Sequence, residues 1–142
     1  MINLKNTLCA VLGLIGGCIA QAFGGWSAAL TALVIFMGLD YITGIIVAGV
    51  FKASTKSETG GLNSLIGWKG LFKKGVTLAI VLVAHRLDML IGTDYIKDAV
   101  IIAFCANELI SIVENAGLMG VPIPSTITKA IEVLKEKGDK DA

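Results

Sequence analysis

Leu33 to Phe51, LVIFMGLDYITGIIVAGVF, is apolar enough to cross a lipid bilayer, yet Asp40 stands near its middle with Thr43 three residues on. A later apolar run holds His85, Arg86 and Asp88, and a fourth holds Asn107, Glu108, Ser111 and Glu114. Nucleophilic or acid–base catalysis is a poor fit to these groups. His85 is the only histidine and has no nucleophile at a telling spacing, and Ser111 with Glu114 reads as a polar helix stripe rather than a hydrolase fragment. The glycines form no phosphate loop. Cys9, Cys18 and Cys105 lie in apolar runs, outside any Cys-x-x-Cys pair, and read as small buried hydrophobes. No cofactor and no metal is expected.

What remains is the electrostatics of charge in lipid. An ionised side chain at the bilayer centre costs about 2.5–3.5 kcal/mol on insertion scales, so such groups face a partner or water. Helical spacing puts His85 and Asp88 on one face, Asp40 and Thr43 on another, and Asn107, Ser111 and Glu114 in one stripe with Glu108 beside it. Two arrangements satisfy them. Arg86 pairs with Asp40 or Glu108 inside one subunit, or the polar faces meet between subunits and line an aqueous path. Asp40 kept protonated and neutral is a further state open to it.

The elements that must hold these groups follow from composition. The chain has 142 residues, enough for one domain, with 55% hydrophobic and only 16% charged residues and a mean hydropathy of +0.80. These values favour an all-α integral membrane protein. Four apolar runs predict four transmembrane helices, near 7–23, 28–51, 76–91 and 99–115, forming a bundle over 1–120. The first run also fits a cleaved leader, with Lys5 as its charged start, but a retained helix is the reading adopted. Gly13 with Gly17, and Gly44 with Ala48, are small-residue pairs four apart that let helices approach closely.

Charge placement predicts orientation. With four spans, ten lysines fall on the side of the N-terminus against Lys97 alone on the other, which places both termini in the cytoplasm. Trp68, Lys69, Lys73 and Lys74 precede the third run and suit an interfacial anchor, its ring at the headgroups and its lysines toward anionic lipid. Residues 121–142 read as a cytoplasmic proline turn (Pro122, Pro124), a short helix with Ile127, Ile131 and Leu134 on one stripe, and a charged end. No basic stripe interleaved with aromatics points to nucleic acid. The expected partners are the lipid bilayer and copies of the chain itself.

The series Leu39-Asp40-Tyr41-Ile42-Thr43-Gly44, Asn63-Ser64, Gly67, Gly70, Lys73-Lys74, Leu87-Asp88, Glu108 to Asn115 and Gly120-Val121-Pro122-Ile123-Pro124 resembles the toxin-secretion and phage-lysis holin family. That group includes clostridial phage holins and the clostridial toxin-release holin. The likeness covers about Leu33 to Leu134, and Asp40, Thr43, Gly44, Ser64, Lys73, Lys74, Glu108, Ser111 and Pro124 carry its pattern. The resemblance implies a protein of the bacterial cytoplasmic membrane that accumulates, oligomerises and opens lesions. Through these an endolysin or a secreted toxin passes without stable binding, and the host lyses. The next methionine after Met1 is Met37, so a dual-start inhibitor scheme has no support in the sequence. Two rivals remain: a small ion channel or transporter, and a non-conducting antiholin-type regulator.

Overall fold

A computed structural model describes residues 3–141. They form five α-helices and no strand: α1 (Leu4–Ala22), α2 (Ala28–Gly49), α3 (Ser64–Ile91), α4 (Ile96–Leu118) and α5 (Ser125–Asp141). The all-helical class expected from the sequence is the class observed. Two helices, α1 and α2, are long and apolar enough to cross a membrane, against the four spans expected.

Three of the starts are written in polar side chains. Asn3 accepts from Lys5 N, Ser27 Oγ from Leu30 N, and Asn63 Oδ1 from Leu65 N and Ile66 N, each filling orphan donors of a first turn. The Asn63 cap corrects the expectation for the third helix. It begins at Ser64, not at 76, so Trp68, Lys69, Lys73 and Lys74 belong to α3 rather than to a separate interfacial segment. Lysine is a good helix former, and nothing in 64–75 obliges the backbone to break before the apolar run.

The fourth start is capped from another helix. Tyr95 gives α4 no side-chain cap, and the Asp88 carboxylate of α3 accepts instead from Ile96 N at 3.0 Å, Lys97 N at 2.8 Å and Thr93 Oγ1 at 2.6 Å. Gly92, with φ 80°, ends α3 in the left-handed region that favours glycine and makes the reversal tight. Asp88 is therefore the lock of the α3–α4 turn, not a mid-helix charge in search of a partner.

Leu30, Leu33 and Met37 of α2, Val81 of α3 and Ile101 and Cys105 of α4 make the buried core. Leu33, Val81 and Ile101 are fully buried. Residue numbers rise together along α2 and α4, since Ile101 lies in the core with Leu30 and Leu33 while Asn115 bonds Asp40 and Thr43. These two helices are parallel, and α3 runs antiparallel to them. Buried positions repeat at a spacing of seven, Leu33–Asp40–Val47 in α2, Val81–Asp88 in α3 and Ala99–Ala106 in α4, a seam of the kind that left-handed bundles use.

The outer helices differ from this unit. No residue of α1 is buried, and Leu8, Leu12, Ile15 and Ile19 are exposed along its length. Gly24, with φ 77°, carries α1 into α2 under the His85 ring, where a Cβ would come within 2.3 Å of Cε1. At the other end, α5 folds back along α4. Ile131 is buried, and a Cβ on Gly138 would lie 3.6 Å from Ala103 Cα. The tail helix, expected after the proline turn as an amphipathic segment, packs its stripe along α4.

The Asp88 cap yields a stability test. Asp88→Ala removes the acceptor of three donors, two of them backbone groups, and should destabilise the fold by about 1–3 kcal/mol. Thermal unfolding of the detergent-solubilised protein followed by circular dichroism measures it; Thr93→Ala should lose less than half as much.

Candidate functional site

Where α2, α3 and α4 meet, one cation sits between two anions. Lys74 Nζ lies 2.7 Å from Asp40 Oδ2 and 2.6 Å from Glu108 Oε2. The side chains of Lys74, Asp40 and Glu108 are 15%, 11% and 14% exposed, so little water screens them. Asp40 and Glu108 each stand twelve residues into parallel helices, about 18 Å at 1.5 Å per residue. Lys74 reaches them because α3 starts early enough to bring its eleventh residue to that level.

A second layer completes the group. Asn115 Nδ2 lies 3.3 Å from Asp40 Oδ1 and donates to Thr43 Oγ1 at 2.9 Å, while Thr43 Oγ1 donates to the Asp40 carbonyl at 3.1 Å. Gly44 lies beside Asn115, where a Cβ would stand in ordinary contact, 3.8 Å from the amide nitrogen. Among the described residues no buried side-chain nitrogen or oxygen lacks a partner. A cavity of about 290 Å³ runs from the α2–α3 connector, at Ser54 and Asn63, down to Lys74, Asp40 and Glu108. Ser111 and Asn107 line it, and Gly67 and Gly70 make room there for the Tyr41 ring. With both carboxylates ionised the trio carries one negative charge in excess, and this cavity is its opening toward the surface.

The structure sorts the residues expected from the sequence. It brings together Asp40, Thr43, Glu108 and Ser111, with Asn107 at the cavity wall. It corrects the pairing of Arg86 with Asp40 or Glu108: Arg86 is exposed, on the far side of α3, with Nη1 3.7 Å from Met89 Sδ. His85 covers Gly24, Asp88 caps α4, and Glu114 is exposed. Gly13 and Gly17 have nothing within 4 Å of a built Cβ, whereas Ala48 is buried. Trp68, Lys69 and Lys73 are exposed on α3, as an anchor would be, but Lys74 leaves that set for the ionic group. Sequence reasoning missed Lys74 as counter-ion and gave Asn115 no role beyond its place in the family series. The available signal was spacing: Lys74 lies seven before Val81 and fourteen before Asp88, and Asn115 seven after Glu108.

The residues of this group fall inside a known sequence pattern. The profile of the bacteriophage holin family matches residues 17–136. The chain belongs to the bacteriophage holin family. Among its relatives, an uncharacterised Listeria monocytogenes protein is 36% identical over 127 residues, covering 89% of this chain and 85% of its own length. An uncharacterised 14.9 kDa Clostridium perfringens protein is 36% identical over 139 residues, covering 96% of this chain and 99% of its own. A probable holin of Bacillus phage phi105 is 32% identical over 103 residues, 72% of this chain and 70% of its own. No solved structure matches. The expected family is thus the family found, and Asp40, Lys74, Glu108 and Asn115 all lie within the matched holin segment.

In this holin-family chain the trio should behave as one unit. Lys74→Met leaves two facing carboxylates without their cation and should destabilise the protein by about 3–5 kcal/mol. Asp40→Asn/Lys74→Met/Glu108→Gln, which removes all three charges, should recover most of that loss. Unfolding in detergent compares them; equal melting of Lys74→Met and parent would remove the trio from the account.

Proposed function

We propose that this chain is a holin of the bacterial cytoplasmic membrane: it crosses the bilayer four times through α1 to α4, with both ends in the cytoplasm, and assembles with copies of itself into lesions. An endolysin, or a secreted toxin, escapes through these without stable binding, and the cell lyses. The chain performs no chemistry on a substrate in this role.

The observation that carries the reading is the Lys74–Asp40–Glu108 trio. A bilayer's hydrocarbon is about 30 Å thick, and the trio lies near the middle of α2 and α4. Three charges there are tolerable in lipid because the ammonium offsets one carboxylate and the remaining negative charge keeps a path to water. The pairing makes α3 and α4 fit to span although each carries charges within its length. The lysine bias supports the same topology: on this reading Lys5, Lys52, Lys56 and the α5 lysines share the cytoplasmic side.

Assembly has supports of its own. α1 presents an apolar surface with no buried residue, and its Gly13–Gly17 ridge is open for a helix of another copy. The cavity runs from the α2–α3 connector down to the trio, and on this reading it is the start of an aqueous path. Rearrangement of α2, α3 and α4 around Lys74 would complete it. The trio then acts as a latch, holding the bundle closed while the copies accumulate.

Induced expression in a bacterium tests this, following membrane potential and escape of a cytosolic marker enzyme together. Loss of potential and enzyme release within the same interval is the expected result. Lys74→Met, with the latch removed, should permeabilise earlier than the parent at equal membrane abundance. Depolarisation without enzyme release would favour an ion channel or transporter, and delayed lysis on co-expression with a lytic holin would favour a regulator.

A further inference from the structure

α5 raises a question that the lesion answers. It doubles back along α4 and brings Gly138 against Ala103, fifteen residues from the C-terminal end of α4, about 22 Å at 1.5 Å per residue. Its inner stripe, Ile127, Ile131, Leu134 and Gly138, follows the seven-residue seam, with Ile131 and Gly138 buried. Its outer face is different. Lys135, Glu136, Lys137, Asp139 and Lys140 are all exposed, and among the described residues none of them makes a salt bridge.

If α4 spans the bilayer, as in the function proposed above, this docking carries five charged side chains past the bilayer centre. Lipid does not accommodate such a face, and the side chains are too deep for all of them to reach the headgroups. Water does accommodate it. We propose that α5 docks along α4 only where water fills the interior of the bilayer, so that its charged face walls the open lesion. In the resting membrane α5 swings away about the Gly120–Pro124 turn and lies on the cytoplasmic side. The turn has the parts for this: Gly120 adopts φ 78°, and Pro122 and Pro124 stiffen a segment whose backbone bonds back to α4 are Gly120 N to Gly117 O and Val121 N to Ala116 O. A Cβ at 138 would rest in ordinary contact with Ala103, 3.6 Å from its Cα, so the docked pair has room for a small side chain but not for a large one.

The inference rests on the holin reading, and a disulfide separates the two. A Cβ on Gly138 would lie 3.7 Å from Ala103 Cβ, within the span of about 3.5–4.5 Å that a disulfide bridges. The experiment uses full-length Ala103→Cys/Gly138→Cys with Cys9, Cys18 and Cys105 changed to alanine, reconstituted reduced into liposomes holding a small dye and a large dextran. Oxidation should link the two cysteines and accelerate dextran release several-fold over the reduced protein, and reduction should reverse it. Gly138→Leu, which blocks docking without touching the bundle core, should slow release several-fold at equal insertion. Failure of the cysteines to link in the membrane, or a linked form that releases no faster than the reduced one, overturns the inference while leaving the holin reading in place. If neither the reduced protein nor the parent releases either marker, the holin reading fails and this inference fails with it.

Discussion

A single ammonium group between two carboxylates sets the terms for the rest of this protein. Lys74 Nζ contacts Asp40 and Glu108 at hydrogen-bond distance, and each of the three comes from a different helix. Removing Lys74 strands two carboxylates in a poorly hydrated place, so the helices must meet in one register. The parallel course of α2 and α4, the antiparallel α3, the early start of α3 at Asn63 and the Asp88-capped turn into α4 all serve that meeting. Polar groups on an otherwise apolar seven-residue seam specify register in helical bundles, and here Asp40, Lys74, Glu108 and Asn115 occupy that seam.

The α2–α4 unit is satisfied internally; the flanking helices are not. α1 has no buried residue, and α5 turns five charged side chains outward while its apolar stripe lies on α4. An apolar helix without protein neighbours calls for lipid or another copy, and a charged face calls for water. A membrane protein that needs both at neighbouring places is one whose surroundings change. Dispersed in lipid, α1 is at home and α5 is not; around a water-filled opening, both are. The proposed holin role gives that contrast a purpose, since lesion formation would exchange one environment for the other.

Much of this was legible in the sequence. Hydropathy located α1 and α2 to within a few residues, the prolines after α4 ended it, and the Ile127–Ile131–Leu134 stripe announced α5. Asp40 and Glu108 stood out because charge in an apolar run has few explanations. Lys74 did not stand out, since it adjoins Lys73, Lys69 and Trp68, and a basic cluster beside an apolar run reads as an interface. Its role depends on α3 extending twelve residues before the apolar window, which is decided by a cap at Asn63 and by carboxylates remote in sequence. Arg86 drew attention by its place within the run, yet the helix turns it outward. Asp88 serves backbone groups eight and nine residues on, a geometry that no spacing of polar side chains reveals. α5 docks with Gly138 beside Ala103, although that glycine reads in sequence as part of the fraying end of a charged tail.

The most direct test of the central claim is the contact itself, in a membrane. Solid-state NMR of the protein in liposomes, with lysine side-chain nitrogen and carboxyl carbons of aspartate and glutamate labelled, measures which carboxylates lie beside which ammonium groups. The account predicts two contacts that vanish together in Lys74→Met, one to an aspartate and one to a glutamate, from a lysine shielded from water-exposed relaxation agents. A Lys74 signal freely reached by those agents and coupled to neither carboxylate would contradict it.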